Sequence, residues 1–133
     1  GHRLCTAQEW QAACEGEAGT DYPYGDAYDG DACNGADRDA IDGGAIDSLL
    51  AATGELASCV SDNGGPGDRV YDMSGNLKEW TNDQPGVDPI YVVRGGSYQT
   101  PEFGLTCQTD LSQATGATVL STLGFRCCDS DGP

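Results

Sequence analysis

Val70-Tyr71-Asp72-Met73-Ser74-Gly75-Asn76-Leu77-Lys78-Glu79-Trp80 is the stretch whose reading decides the fold of this chain. A short apolar entry leads into a tight Ser74-Gly75-Asn76 turn, and an acidic residue stands directly before a tryptophan. Asp72, Asn76 and Glu79 offer hard oxygen ligands, while Val70, Tyr71, Leu77 and Trp80 can anchor the backbone that carries them. The pattern reads as a calcium-clamped turn at the centre of a small, disulfide-bonded, irregular domain, because Ca²⁺ takes about six to eight oxygens in flexible geometry.

The rest of the composition agrees with that reading. A chain of 133 residues suggests one domain, and its 20 glycines and 6 prolines place much of it in turns and loops. Twenty-two acidic residues face six basic ones, a net charge of -16. Nucleic acid and anionic membrane surfaces are therefore poor partners, since both need a basic footprint. Most of the acids are Asp, which favours turns and caps over helix interiors. Seven cysteines, widely spread, fit a disulfide framework from an oxidising compartment, with one left over. Zinc is a weak alternative, because there is no Cys-x-x-Cys pair and His2 is the one histidine. No run of about twenty apolar residues is available to span a membrane. The abrupt start at Gly1-His2-Arg3 reads as a processed or cut end.

Residues 4–14 form the clearest predicted helix, with Thr6 and Glu9 as a capping box, a Cys5–Trp10 staple, and Gly16 as the stop. Residues 19–47 read as loop. Tyr22-Pro23-Tyr24-Gly25-Asp26 is an aromatic-anchored turn, followed by Asp-rich sequence whose register does not fit an EF-hand, since Ile41 takes the fifth position and no glutamate closes the loop. Tyr91-Val92-Val93-Arg94 is the best strand, closed by Gly95-Gly96, and residues 105–109 and 117–127 alternate enough to be two more. Trp10 and Trp80 are expected core anchors. Arg94 and Arg126, rare cations among many acids, are each expected to make a buried structural pair.

Five motifs in order resemble the formylglycine-generating enzyme (sulfatase-modifying factor) family. Arg3-Leu4-Cys5-Thr6-Ala7-Gln8-Glu9-Trp10 is similar to its "RLPTEAEWE" helix, and Tyr22–Asp26 to its "FPWGN" turn. Val70–Trp80 resembles "YDMSGNVWEW", Val93-Arg94-Gly95-Gly96-Ser97-Tyr98 resembles "RGGSW", and Leu123-Gly124-Phe125-Arg126-Cys127 resembles "LGFRC". The resemblance implies an α+β, C-type-lectin-like fold with little regular secondary structure. It covers residues 1–133 as one domain that lacks the family's N-terminal portion.

The resemblance also implies two calcium sites. One takes the side chains of Asp72 and Glu79 with backbone carbonyls near Ser74, Gly75 and Leu77. The other takes Asn34 and the backbone of Gly35, with Asp37, Asp39 and Asp42 as candidates. It pairs Cys14 with Cys107. Cys33 and Cys59, flanking the acidic loop, are expected to pair, as are the additional Cys5 and Cys128, which leaves Cys127 without a partner. The family's copper-binding cysteines fall two and seven positions after Tyr98, at Thr100 and Leu105, and neither can offer Cu(I) a thiolate. The expected role is therefore a non-catalytic, calcium-stabilised binding or structural module at the cell surface or outside the cell, with the periplasm as an alternative. Tyr98, Gln99, Thr100, Glu102 and Phe103 form its expected ligand surface, toward a protein, a glycan or copies of itself. A filament subunit and an oxidoreductase acting on a protein cysteine are the two alternatives.

Overall fold

The computed structural model describes residues 1–38, 50–65, 67–86 and 88–130. Short strands surround one helix. Among the described residues the strands are β1 (His2–Leu4), β2 (Val60–Asp62), β3 (Arg69–Tyr71), β4 (Lys78–Trp80), β5 (Ile90–Arg94), β6 (Gln113–Thr115), β7 (Leu123–Phe125) and β8 (Cys127–Asp129). The helix is α1 (Ala7–Glu15), and a 3-10 turn spans Glu102–Gly104. The largest sheet has the order β6-β5-β4-β7, with β7 parallel to β4 and the other pairs antiparallel. Antiparallel β1–β8 and β2–β3 ribbons flank it.

The helix starts where the capping box places it. Thr6 Oγ1 accepts the Glu9 N–H at 3.1 Å, and the Glu9 carboxylate accepts the Thr6 N–H at 2.8 Å. Arg3 donates twice to the same carboxylate, at 2.7 and 2.6 Å. Arg3, and then the Thr6 N–H, hold the Glu9 carboxyl down at about 2. The helix is shorter at its start than residues 4–14, because Leu4 is taken into the β1–β8 ladder opposite Cys127. Gly16 ends it as expected, with its N–H on the Ala12 carbonyl.

Two other expected strands are corrected. Residues 105–109 are turn, not strand. Cys107 gives its N–H to Asp21 O at 2.8 Å and its sulfur to Cys14, while the Leu105 carbonyl is taken by the Ser74 hydroxyl. These partners lie in different directions, so no ladder can form. Within 117–127 only Leu123–Phe125 becomes one strand and Cys127 begins another, since Arg126 breaks away to reach Glu79.

Three disulfides join Cys5 to Cys128, Cys14 to Cys107 and Cys33 to Cys59, and Cys127 is free and exposed. The bridges sit inside the two apolar clusters. Cys5, Trp10, Cys14, Met73 and Cys107 form one, and Cys33, Leu56 and Cys59 form the other with Tyr24 packed against it. Met73 is fully buried, so the 70–80 stretch passes through the centre of the molecule. Trp80 is less central than expected: it is half-buried and meets Tyr91 edge-on at 6.0 Å.

Candidate functional site

The turn is held by its backbone and by two left-handed residues, Asp72 and Asn76, both at φ 59°. The Gly75 N–H donates to Gly95 O, and the Asn76 N–H to Asn34 O, both at 2.7 Å. Asn76 also closes a side-chain ring with Ala51: its Oδ1 accepts the Ala51 N–H at 2.9 Å and its Nδ2 donates to Ala51 O at 3.1 Å. Asx side chains make such local bonds readily, which is why Asn tolerates the left-handed region. Gly75 itself sits at φ +76° with the Asn34 carbonyl where a Cβ would go. We expect Gly75→Ala to cost about 3 kcal/mol or more, from backbone strain plus a backbone clash. Gly19→Ala is the control: φ is also positive (+67°) but no atom lies within 4 Å of the added carbon, so only the strain of roughly 1–2 kcal/mol remains. Urea midpoints of the two variants check this.

Glu79 is the hub of the site. Its Oε2 accepts the Trp10 indole N–H at 2.7 Å and the Arg126 Nε–H, and its Oε1 accepts from Arg126 Nη2 at 2.7 Å. Arg126 Nη2 also reaches Tyr71 O at 3.1 Å and Asp72 O at 3.5 Å. A bidentate guanidinium–carboxylate pair of this kind is strong and geometrically specific. Arg126 thus makes the structural pair expected of it, with Glu79 buried and Arg126 itself half-buried.

The calcium reading can be tested against the donor set. Asp72, Leu77 and Glu79 line one open cleft of about 390 Å³ with Tyr71 and Arg126. Asp72 Oδ2 accepts the Gly54 N–H at 2.7 Å. Its other oxygen, and the carbonyls of Gly75 and Leu77, accept no hydrogen bond among the described residues. Ca²⁺ takes about six to eight hard oxygens, but both Glu79 oxygens are already held by Trp10 and Arg126, and Arg69 and Arg126 line the same cleft, so the residues as arranged here do not suit it. Among the described residues no three His, Cys, Asp or Glu side chains converge as a metal site. Ser74 and Gly75, whose carbonyls were expected as ligands, are not among the residues lining this cleft, and the Ser74 hydroxyl donates to the Leu105 carbonyl at 2.6 Å.

The second expected region adjoins the first. Asn34 bridges Gly75 through the backbone, and its Nδ2 donates to Asn76 Oδ1 at 3.0 Å. Gly35 packs against Leu105, with Leu105 Cδ1 only 2.5 Å from where a Cβ would stand. Asp37 accepts the Tyr28 hydroxyl at 2.9 Å; burial first, and then this hydrogen bond, push that phenol upward. Asp39 and Asp42 lie outside the described residues.

Thr100 and Leu105, where the resemblance places the family's copper-binding cysteines, both approach Gly96. A Thr100 methyl and a Leu105 methyl each come within 2.9 Å of the place a Gly96 Cβ would occupy. Leu105 is buried, and the Thr100 hydroxyl accepts the Ser97 N–H at 2.9 Å. The remaining expected surface residues differ among themselves. Gln99, Glu102 and Phe103 are exposed, Phe103 to 79 %, whereas Tyr98 and Thr100 are half-buried.

Arg94 departs from expectation, because it makes no ion pair among the described residues. Its Nη1 donates to the carbonyls of Cys107, Gln108 and Thr109, its Nη2 to Gln11 Oε1, and its guanidinium lies 5.9 Å from the Trp10 ring centre. Burial lowers its pKa from the usual arginine value. The carbonyls of the Cys107 turn accept the hydrogen bonds that a carboxylate was expected to accept, while Asp110, Asp83 and Glu15 act on its charge without forming an ion pair.

With this geometry in place, comparison with known proteins assigns the chain to a class. Residues 1–130 match the sulfatase-modifying factor enzyme 1-like domain, so the chain belongs to that family. Two serine/threonine-protein kinases named pkn1, from Chlamydia caviae and Chlamydia pneumoniae, are each 30% identical over 146 residues, covering 96% of this chain and 21% of theirs. The crystal structure of CarF superposes with a TM-score of 0.65 at 25% identity, covering 96% of this chain and 46% of that one. Treponema denticola variable protein 1 superposes with a TM-score of 0.72 at 18% identity, over 96% and 47%. The chain thus spans about a fifth of those curated relatives and about half of those solved structures. Its fold is the α+β, C-type-lectin-like one, mostly short strands with one helix. Three disulfides brace it, and no described helix is long and apolar enough to cross a membrane.

Proposed function

We propose that this chain is a non-catalytic, extracellular binding or structural module of the sulfatase-modifying-factor family, with the Glu79–Arg126 pair bracing the turn at Val70–Trp80. The observation that carries it is the packing at Thr100 and Leu105. Both side chains come within 2.9 Å of where a Gly96 Cβ would stand, and they present a methyl group and a leucine side chain there. Cu(I) needs soft thiolate ligands, and a buried leucine offers none. Gln99, Glu102 and Phe103 are exposed on and just after the Ser97–Thr100 turn, which is closed by the Thr100 N–H on the Ser97 carbonyl and the Ser97 N–H on the Thr100 hydroxyl.

Incubation with a sulfatase-type cysteine peptide, copper and oxygen should return the peptide unchanged by mass spectrometry. Aldehyde formation above a protein-free control overturns the non-catalytic reading. Self-assembly is the second reading. It is favoured by Phe125, 67% exposed on β7 at the edge of the main sheet. Sedimentation at physiological ionic strength separates the two, since a structural subunit runs as a polymer and a ligand-binding module as discrete particles.

A further inference from the structure

We propose that a groove beside the β2–β3 ribbon takes an extended peptide segment of a protein partner, with a Lys or Arg at its acidic end and an apolar side chain at the other. This rests on the binding-module reading above, names a partner class for it, and uses a surface other than Gln99, Glu102 and Phe103.

The groove is made of two clefts that share Asp62 and Arg69. These two residues stand opposite each other in the β2–β3 register, so their side chains leave the ribbon on one face. Alternation along β2 puts Val60 on the same face, while Ser61 turns inward, buried with its hydroxyl on Ala13 O. One cleft, of about 420 Å³, is walled by Val60, Ala18, Pro23 and Tyr24, with Glu15 at its rim. The other, of about 350 Å³, is bounded by Glu17, Gly64 and Gly65. An apolar compartment therefore opens directly into an acidic one.

The acidic compartment lacks a cation. Glu15, Glu17 and Asp62 make no ion pair among the described residues. Glu15 also ends α1, whose last turn holds no basic residue. A helix C-terminus carries partial negative charge and is stabilised by a cation there. Arg69 is the one cation lining either cleft, and its guanidinium has no hydrogen bond or ion pair among the described residues. Three carboxylates and a helix end thus face one guanidinium, in a chain of net charge -16. That balance disfavours an anionic ligand and selects a cationic one. The carboxylates do not converge as a metal site, so a bare metal ion fits poorly. A Lys or Arg side chain fits better, because its head can bond to single carboxylates while its stem lies on apolar surface. The adjoining apolar cleft then takes a neighbouring side chain of the same segment. Arg69, at the junction, is free to donate to a main-chain carbonyl between the two anchors.

A phage-displayed library of random peptides panned against the chain provides the test. Enriched peptides should carry Lys or Arg near an apolar residue. Made synthetically, they should shift the amide resonances of Glu17, Val60 and Asp62 most. Calorimetric titration of wild type, Glu17→Gln, Glu17→Lys and Glu102→Lys then measures the charge. Glu17 is exposed and its side chain accepts no hydrogen bond among the described residues, so both variants should keep the fold. Glu17→Lys should weaken binding about tenfold or more, since a like charge at the rim replaces an opposite one. Glu17→Gln should fall between it and wild type. Glu102→Lys makes the same charge change outside both clefts and should cost clearly less. A pool without Lys or Arg, or no enrichment over the bare support, overturns the groove and leaves the non-catalytic reading to the aldehyde assay. Equal losses in Glu17→Lys and Glu102→Lys also overturn it, because attraction to the acidic surface at large then accounts for the binding. A loss in Glu102→Lys alone overturns the groove and moves the ligand to the Gln99, Glu102 and Phe103 face, with the binding-module reading intact.

Discussion

Glu79→Ala should destabilise this protein by about 3–5 kcal/mol, the usual range for removing one partner of a buried ion pair. Such pairs are strong in contact and weak in net worth. Taking both charges out of water costs nearly as much as their attraction returns. The large effect comes from what is left behind: the Arg126 guanidinium, whose side chain is 22% exposed, and the buried Trp10 N–H, both without an acceptor. Glu79→Gln keeps an acceptor for Trp10 and should cost less than Glu79→Ala. A double variant, Glu79→Leu with Arg126→Leu, removes both charges and should be milder than Glu79→Ala. Denaturant unfolding in EDTA measures all three without a contribution from calcium. Glu79→Ala within 1 kcal/mol of wild type would show that the hub is dispensable.

Loss of the Cys14–Cys107 bridge should be as severe. The two residues are 93 apart in sequence and wholly buried beside Trp10 and Met73. Closing a loop of that length is worth about 4.5 kcal/mol in the chain-entropy model, against about 3.5 kcal/mol for the 26-residue Cys33–Cys59 separation. For a chain of 133 residues a loss of that size lowers the melting temperature by roughly 15 °C. Cys14→Ala with Cys107→Ala should therefore melt well below Cys33→Ala with Cys59→Ala. Differential scanning calorimetry of the two double variants checks the order. The reverse order would mean that the smaller bridge braces something that loop length does not capture, such as the acidic segment between its cysteines.

Much of the architecture was legible in the residues. Thr6 and Glu9 announce their helix because a capping box is local, three residues apart, and needs no tertiary partner. Ser74-Gly75-Asn76 announces its turn for the same reason: left-handed backbone is open to Gly and Asn and strained for most other residues. Asp72 is the exception within it, held at positive φ by its side-chain bond to the distant Gly54 N–H. The five motifs placed the chain in its family, and the absence of thiols at Thr100 and Leu105 could be read directly from their positions.

Other features belong to the fold alone. Residues 105–109 alternate like a strand, yet Cys14, Asp21 and Ser74 draw their groups in three directions and no ladder forms. Arg94 looked like half of an ion pair and instead donates its hydrogen bonds to carbonyls of the Cys107 turn, which local spacing does not reveal. Val70–Trp80 showed by itself that it is a turn rich in oxygen donors with apolar anchors, because backbone conformation and ligand type are properties of single residues. Only the tertiary structure decided that Glu79 already has a cation, Arg126, 47 residues away. Charge pairing depends on distance in space, and that distance exists only once β7 has paired with β4.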